Sequence, residues 1–203
     1  YCVANNLSKN ISNSKVITTN EVTNLKIKKE NILIFLDNSQ MQLLDINKFN
    51  CIKVAWVRNW EKLWLKYLKS FDYVLCCTNK AKEYIESNGI KSYILPIGSN
   101  FNNYNFTQTF KYDILIDCNL LNRRNIVDIV IKLVELNKYK IIIIGKNWQN
   151  YLTKKEFNII KPYYKEFIKY NEVKNYYLLS KIIIDDSNIN TKEFGSVNQR
   201  VTD

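Results

Sequence analysis

The sequence predicts an α/β protein made of two Rossmann-like parallel-sheet domains. Three observations carry that prediction. Short apolar runs of strand length alternate with longer stretches whose apolar residues recur at helical spacing. The alternation occurs twice, with a polar, Asn-rich and aperiodic break at residues 99–111 between the two. The chain has 203 residues, 46% hydrophobic and 24% charged, enough to bury one large or two small cores.

In chain order, the signal before residue 31 is weak: a helix over residues 3–12 and a strand at 15–19 are the expectation. "NILIFLD" (31–37) reads as a buried strand and "IKVAWV" (52–57) as another. "RNWEKLWLKYLKS" follows, with Trp60, Leu63, Trp64, Tyr67 and Leu68 at helical spacing. "DYVLCCT" (72–78) is a strand. "NKAKEYIESNG" is a helix with Asn79 as its N-cap and Gly89 at its stop. "KSYILPIG" is a strand closed by Pro96. After the break, "YDILIDCN" is a strand and "RNIVDIVIKLVELN" a helix apolar around most of its circumference. "KYKIIIIGKNW" is a strand ending in a glycine turn. "EFIKY" is a short strand, "NEVKNYYLLS" a short helix capped by Asn171, and "KIIIDDS" the next strand. A β-α-β-α-β rhythm implies parallel strands with helices packed on the sheet. Two domains follow, residues 1–104 and 105–203, each incomplete at the terminus it carries, since the chain opens on Tyr1 and stops at Asp203.

Composition narrows the function. The net charge is +11, yet the lysines are dispersed with no block of five or six, so no nucleic-acid footprint is expected. No apolar run approaches the roughly 20 residues that span a bilayer. The five cysteines are odd in number and lack C-x-x-C spacing, which suits a reducing cytoplasm. Histidine is absent, which removes Ser-His and Cys-His nucleophile systems and most zinc sites.

In open parallel sheets ligands bind outside the carboxyl ends of the strands. There the second half carries Asp117-Cys118-Asn119, Gly145-Lys146-Asn147-Trp148, Tyr170-Asn171-Glu172 and Asp185-Asp186-Ser187. "GSVNQR" then leads toward a helix start, where backbone N–H groups and the helix dipole suit phosphate. Gly195 permits close approach of the backbone, Arg200 offers a fork of donors, and Asp203 can accept from a ribose diol. Simpler readings stand beside these. Gly145 can be only a turn, Asp185 and Asp186 only the solvated end of a strand, and Glu193 only the first-turn acid of a helix. Adjacent carboxylates on a strand point to opposite faces, so no two-carboxylate metal site is expected. Neither GxGxxG nor GxxxxGK[ST] is present.

The stretch "YNEVKNYYLLSKIIIDDSNINTKEFGSVNQRVTD" resembles the C-terminal donor domain of GT-B glycosyltransferases, in the branch of CgeB-like spore-maturation proteins and other "glycosyl transferases group 1" domains. The likeness rests on Tyr170, Asn171, Glu172, Val173, Tyr177, Asp185, Asp186, Glu193, Gly195, Val197, Asn198, Arg200 and Asp203. Upstream, "WVRNW", "DYVLCCTNKAKEYIESNGI" and "ILPIGSN" resemble the end of that family's N-terminal domain. "YDILIDCNLLNRRNIVDIV" resembles the opening of its donor domain. The first donor loop of the family usually carries a glycine, where this chain has Cys118-Asn119, and the spacing from Glu193 to Asp203 exceeds the commonest paired-Glu signature.

The resemblance implies two domains facing a cleft and a nucleotide-diphosphate sugar as donor, with no cofactor and no metal. It implies that Tyr170, Asn171, Glu172 and Val173 sit beside the base and that Glu193 faces the sugar. Gly195, Ser196, Val197 and Asn198 would hold the pyrophosphate, with Arg200 a phosphate or structural contact and Asp203 on the ribose. Lys146 and Arg124, or its neighbour Arg123, would be further phosphate contacts, and Arg58, Asn59 and Trp60 would form the facing wall. The activity implied is metal-independent transfer, with retention, to a surface glycan, lipid-linked glycan or glycoprotein, in the cytoplasm or at the inner face of the membrane. Two alternatives stay open: a catalytically inactive nucleotide-sugar-binding homologue, and a basic α/β module that binds nucleic acid or an anionic membrane.

Overall fold

The computed structural model describes residues 2–39, 41–97, 109–186 and 189–195, with the side chains of residues 2, 6, 170, 171 and 190 outside that description. It is an α/β protein with two parallel sheets of four strands each, Rossmann-like in class. By contact the described residues fall into two compact units: 2–97 with 189–195, and 109–186.

The first unit begins with helices α1 (Cys2–Asn10) and α2 (Thr19–Val22). The strand expected at 15–19 is absent: residues 14–18 are irregular, and Thr18 serves instead as the N-cap of α2. The sheet follows as β1 (Ile32–Phe35), β2 (Ile52–Val57), β3 (Tyr73–Cys76) and β4 (Tyr93–Ile94), paired in that order. Because each crossover steps the same way across the sheet, right-handed connections put α3 (Glu61–Leu68) and α4 (Asn79–Ser87) on one face. That face carries the core. Ala55 lies in register with Val74, and Val57 with Cys76, under Trp64, Leu68, Ala81 and Ile85. Complete burial of Leu68 alone contributes about 2 kcal/mol.

The opposite face is open at several apolar positions. Ile32 is 59% and Ile34 43% exposed, because β1 is an edge strand rather than the buried strand its composition predicts. The helical stripe begins at Glu61, not Trp60. Trp60 takes a left-handed conformation (φ 58°, ψ 39°), costly for a bulky side chain, at the turn from β2 into α3. The cap of α4 is Thr78 rather than Asn79: Thr78 is extended, and its hydroxyl accepts the Ala81 N–H at 3.1 Å.

The second unit contains β5 (Tyr112–Asp117), α5 (Asn125–Glu135), β6 (Ile141–Ile144), α6 (Trp148–Tyr151), α7 (Lys154–Ile160), β7 (Tyr164–Lys165), α8 (Tyr170–Leu178) and β8 (Ser180–Ile184). The order across the sheet is β7-β6-β5-β8. Helices α5, α6 and α7 cover one face and α8 the other, where Tyr176 and Tyr177 pack on Leu115, Ile142 and Ile144. Helix α5 is buried along one stripe (Ile126, Val127, Val130, Val134) while Ile129 is half exposed, so it is less enclosed than its composition suggests. The strand expected at "EFIKY" lies earlier, at Tyr164–Lys165, and the cap of α8 is Lys169 rather than Asn171.

Helix α9 (Ile189–Glu193) belongs by its contacts to the first unit. Phe194 enters that unit's core with its ring 5.0 Å from Tyr84. The Thr78 hydroxyl donates to the Phe194 carbonyl at 2.7 Å, and Lys62 pairs with Glu193 at 2.7 Å.

A surface network braces α5 against α7. Arg123 donates through both terminal nitrogens to Glu156, at 3.1 and 2.9 Å, and also pairs with Asp128. Arg123 and the Thr153 N–H and hydroxyl hold the Glu156 carboxyl down at about 2. A depressed carboxylate contributes stability above its ordinary value of 4.5 and loses that contribution as pH falls toward about 2. Thermal melting between pH 5 and 2 is therefore expected to decline less steeply in Arg123→Met than in the native chain. Equal slopes would show the pair to be idle.

Candidate ligand site at the carboxyl end of the second sheet

The chain enters the second sheet at β5, proceeds outward through β6 and β7, then returns to place β8 on the other side of β5. The direction of winding reverses between β5 and β8, and such a switch point opens a crevice beyond the carboxyl ends of the two strands. The residues around it are Asp117 at the end of β5, Cys118 and Asn119 after it, and Asp185 and Asp186 after β8.

Arg124, the N-cap of α5, ties the two strand ends together. One terminal nitrogen donates to the Asp186 carbonyl and the other to the Asn119 carbonyl, both at 2.8 Å. Its Nε stands 3.4 Å from the Asp186 carboxylate, and the side chain is 12% exposed. The planar guanidinium can serve both carbonyls at once, which an ammonium cannot. Arg124 therefore acts here on the protein's own backbone. Arg123, its neighbour, is taken up by Asp128 and Glu156.

The loops after β5 and β6 are fastened together. Asn119 Oδ1 accepts the Lys146 N–H at 2.7 Å, Leu120 N–H donates to the Lys146 carbonyl at 3.0 Å, and Asn147 Nδ2 donates to the Leu120 carbonyl at 3.1 Å. The buried Trp148 indole donates to the Cys118 carbonyl at 2.9 Å. Gly145 (φ 144°) passes so close to this loop that an added Cβ would meet the Cys118 carbonyl oxygen at 1.9 Å. Its role is backbone packing, which favours the turn reading over the ligand-contact one. Asn119, where the family resembled in sequence usually has glycine, holds the β6 loop through its amide.

Lys146 is exposed just after β6, its ammonium 5.5 Å from the centre of the Phe167 ring. The first turn of α8 holds Tyr170, Asn171, Glu172 and Val173, with Glu172 exposed and Val173 half-buried. Deeper in, buried Asp117 accepts a hydrogen bond from Tyr177 Oη at 2.7 Å. Asp117 and Tyr177 bring α8 to the end of β5, a tie that strand and helix spacing do not reveal.

Other candidates lie elsewhere. Glu193 and Gly195 belong to the first unit, Glu193 paired with Lys62 and Gly195 exposed at φ 65°. Ser196, Val197, Asn198, Arg200 and Asp203 lie outside the described residues, as does Ser187. Among the described residues no group of three or more His, Cys, Asp or Glu is arranged to hold a metal ion, and no helix is long and apolar enough to cross a membrane. In the first unit, sequence reasoning singles out Arg58, Asn59 and Trp60 at the end of β2. It misses Glu61, a buried carboxylate at the first position of α3. No protein-family model and no curated protein matches this chain.

Proposed function

We propose that the protein is a metal-independent glycosyltransferase of the GT-B type that takes a nucleotide-diphosphate sugar at the switch point of the second sheet. The observation that carries this reading is the reversal of winding between β5 and β8, which sets polar strand ends beside the start of the eleven-residue helix α5, with Lys146 exposed at the end of β6. Polar groups at a switch point and a helix N-terminus are a setting for pyrophosphate. Glycosyl transfer requires stabilisation of the charge that develops on the leaving diphosphate. Fixed amide dipoles and the Lys146 ammonium supply such stabilisation without a metal and without histidine. Arg124 acts as a positioning residue that holds the rim together. The roles of Glu193 at the sugar, of Gly195–Asn198 and Arg200 at the phosphates, and of Asp203 at the ribose rest on the sequence resemblance alone. A glycan, lipid-linked glycan or protein acceptor in the cytoplasm belongs to the same proposal.

Thermal melting of the chain against UDP, GDP, CDP, ADP and dTDP tests the reading. A ligand at about 100 times its Kd adds about 2.7 kcal/mol of stability. One diphosphate is expected to raise the melting temperature, and Lys146→Ala, which removes only an exposed ammonium, is expected to abolish the response at the same concentration. If no diphosphate shifts the melting point of the folded protein, the crevice is not a donor site. Diphosphate binding without transfer to any acceptor would identify a nucleotide-sugar-binding protein that has lost catalysis. Steep, salt-dependent binding of DNA, RNA or anionic vesicles in place of nucleotides would favour a basic binding module.

A further inference from the structure

We propose that the first unit carries a second binding site, a groove along the free edge of β1 that takes a long-chain phosphate monoester. The groove has a volume of about 1240 Å3. Val3 and Leu7 of α1, Ile17, Ile34, Phe35 and Leu44 form its apolar part, and Arg58 stands in the same lining with Lys15, Lys26, Glu30 and Asp37. Strand β1 contributes both faces because it is the edge of its sheet, and Ile34 is left half exposed within the groove. Among the described side chains none of α1 belongs to the core cluster of the unit, and Val3 and Leu7 are half-buried.

Arg58 supplies the charge that selects the occupant. Among the described residues it is the one arginine with no carboxylate within 4.0 Å. Arg123 has Asp128 and Glu156, and Arg124 has Asp186. One Arg58 terminal nitrogen donates to the Leu36 carbonyl at 3.0 Å, while Nε is buried without a hydrogen-bond partner. Burial lowers the pKa of Arg58, and Asp37 offsets this only from beyond ion-pair distance. The Asp37 carboxylate is engaged by the Ser39 N–H at 3.0 Å and the Ser39 hydroxyl at 2.8 Å. The neighbouring Cys77 also raises the Arg58 pKa, but burial pushes its thiol up to about 12, so it carries no charge to pair with the guanidinium at neutral pH. A guanidinium in a groove of mixed apolar and polar lining, with donors to spare and no carboxylate within ion-pair distance, matches a phosphate on a hydrocarbon chain. The chain would lie along β1 and the phosphate would complete the Arg58 donor set. Both components lie in the first unit, so this site and the nucleotide crevice can fail independently.

Binding of butyl phosphate, octyl phosphate, 1-octanol and inorganic phosphate to the full chain, measured by calorimetry below micellar concentrations, tests the assignment. Each methylene buried strengthens binding roughly fourfold, so with four more of them octyl phosphate is expected to bind roughly 250-fold more tightly than butyl phosphate. Octanol and inorganic phosphate alone are expected to bind at least about tenfold more weakly than octyl phosphate, because each satisfies only half of the site. Arg58→Met, which keeps the stem and removes the charge, is expected to reduce octyl phosphate to the level of octanol. Leu7→Asp, on a helix outside the core, is expected to abolish octyl phosphate binding with the melting temperature unchanged. Inorganic phosphate binding as tightly as octyl phosphate, octyl phosphate surviving Arg58→Met undiminished, or no octyl phosphate binding at all would each overturn the proposal.

Discussion

Gly145→Ala is expected to cost the second unit about 4 kcal/mol or more, a large part of the stability of a typical domain. A methyl group at this position falls 1.9 Å from the Cys118 carbonyl oxygen and 2.5 Å from its carbon. The obstructing atoms are backbone, so no rotamer change relieves the clash. Nor can the strand end withdraw. The Cys118 N–H donates to the Ile144 carbonyl at 3.0 Å, and the Cys118 carbonyl accepts the Trp148 indole at 2.9 Å. The backbone itself sits at φ 144°, a region that L side chains rarely adopt. Chemical denaturation followed by tryptophan fluorescence measures the effect, since Trp148 is completely buried beside the clash. A loss below about 1 kcal/mol would mean that the loops after β5 and β6 are not packed in this way.

Arg124→Ala is expected to cost about 3 kcal/mol and to remove the nucleotide response with it. The change deletes two hydrogen bonds of 2.8 Å to the carbonyls of Asn119 and Asp186, and the contact at 3.4 Å with the Asp186 carboxylate. Removing one partner of a largely buried charge pair forfeits the attraction it supplied, and two backbone carbonyls lose a charged donor. Arg124→Lys restores the charge but cannot bridge two carbonyls in fixed directions, so it is expected to recover less than half of the loss. Amide hydrogen exchange tells the bridge from a general weakening. Faster exchange is expected at residues 119–121 and 184–186 while the core strand β6 keeps its protection. Uniform acceleration over the whole unit would show that Arg124 supports the fold at large rather than the rim of the crevice.

Both effects involve contacts that no local pattern announces. Gly145 reads as a turn in sequence, and the reason for it lies 27 residues upstream at Cys118. Arg124 reads as a helix-start cation, and its partners are a loop carbonyl five residues away and a strand end 62 residues away. Short helices show a related gap. The segment "LTKKEF" holds a capping box, with the Thr153 hydroxyl accepting the Glu156 N–H at 3.2 Å and the Glu156 carboxylate accepting the Thr153 N–H at 2.7 Å. That signature is visible in sequence and would have located α7. The cap of α4, by contrast, was decided by backbone angle: Thr78 is extended at φ −140°, and the chain enters the helix one residue before the asparagine that composition favours.

What the sequence determined by itself is the class of the protein. The β-α rhythm repeated across a polar break specifies two parallel sheets, because apolar runs of strand length separated by amphipathic helices bury themselves in no simpler way. Strands such as Ile141–Ile144, apolar at every position and buried on both faces, are unmistakable without coordinates. Tertiary structure alone decided the order of the strands, the reversal between β5 and β8, and the assignment of residues 189–195 to the first unit through Phe194. It also decided that Ile32 and Ile34 lie at an edge rather than in a core. The physical reason is one of range. Periodicity records the face a residue presents to its immediate surroundings, while strand order, edge position and the partner of a buried arginine depend on segments tens of residues away, which meet only when the chain has folded.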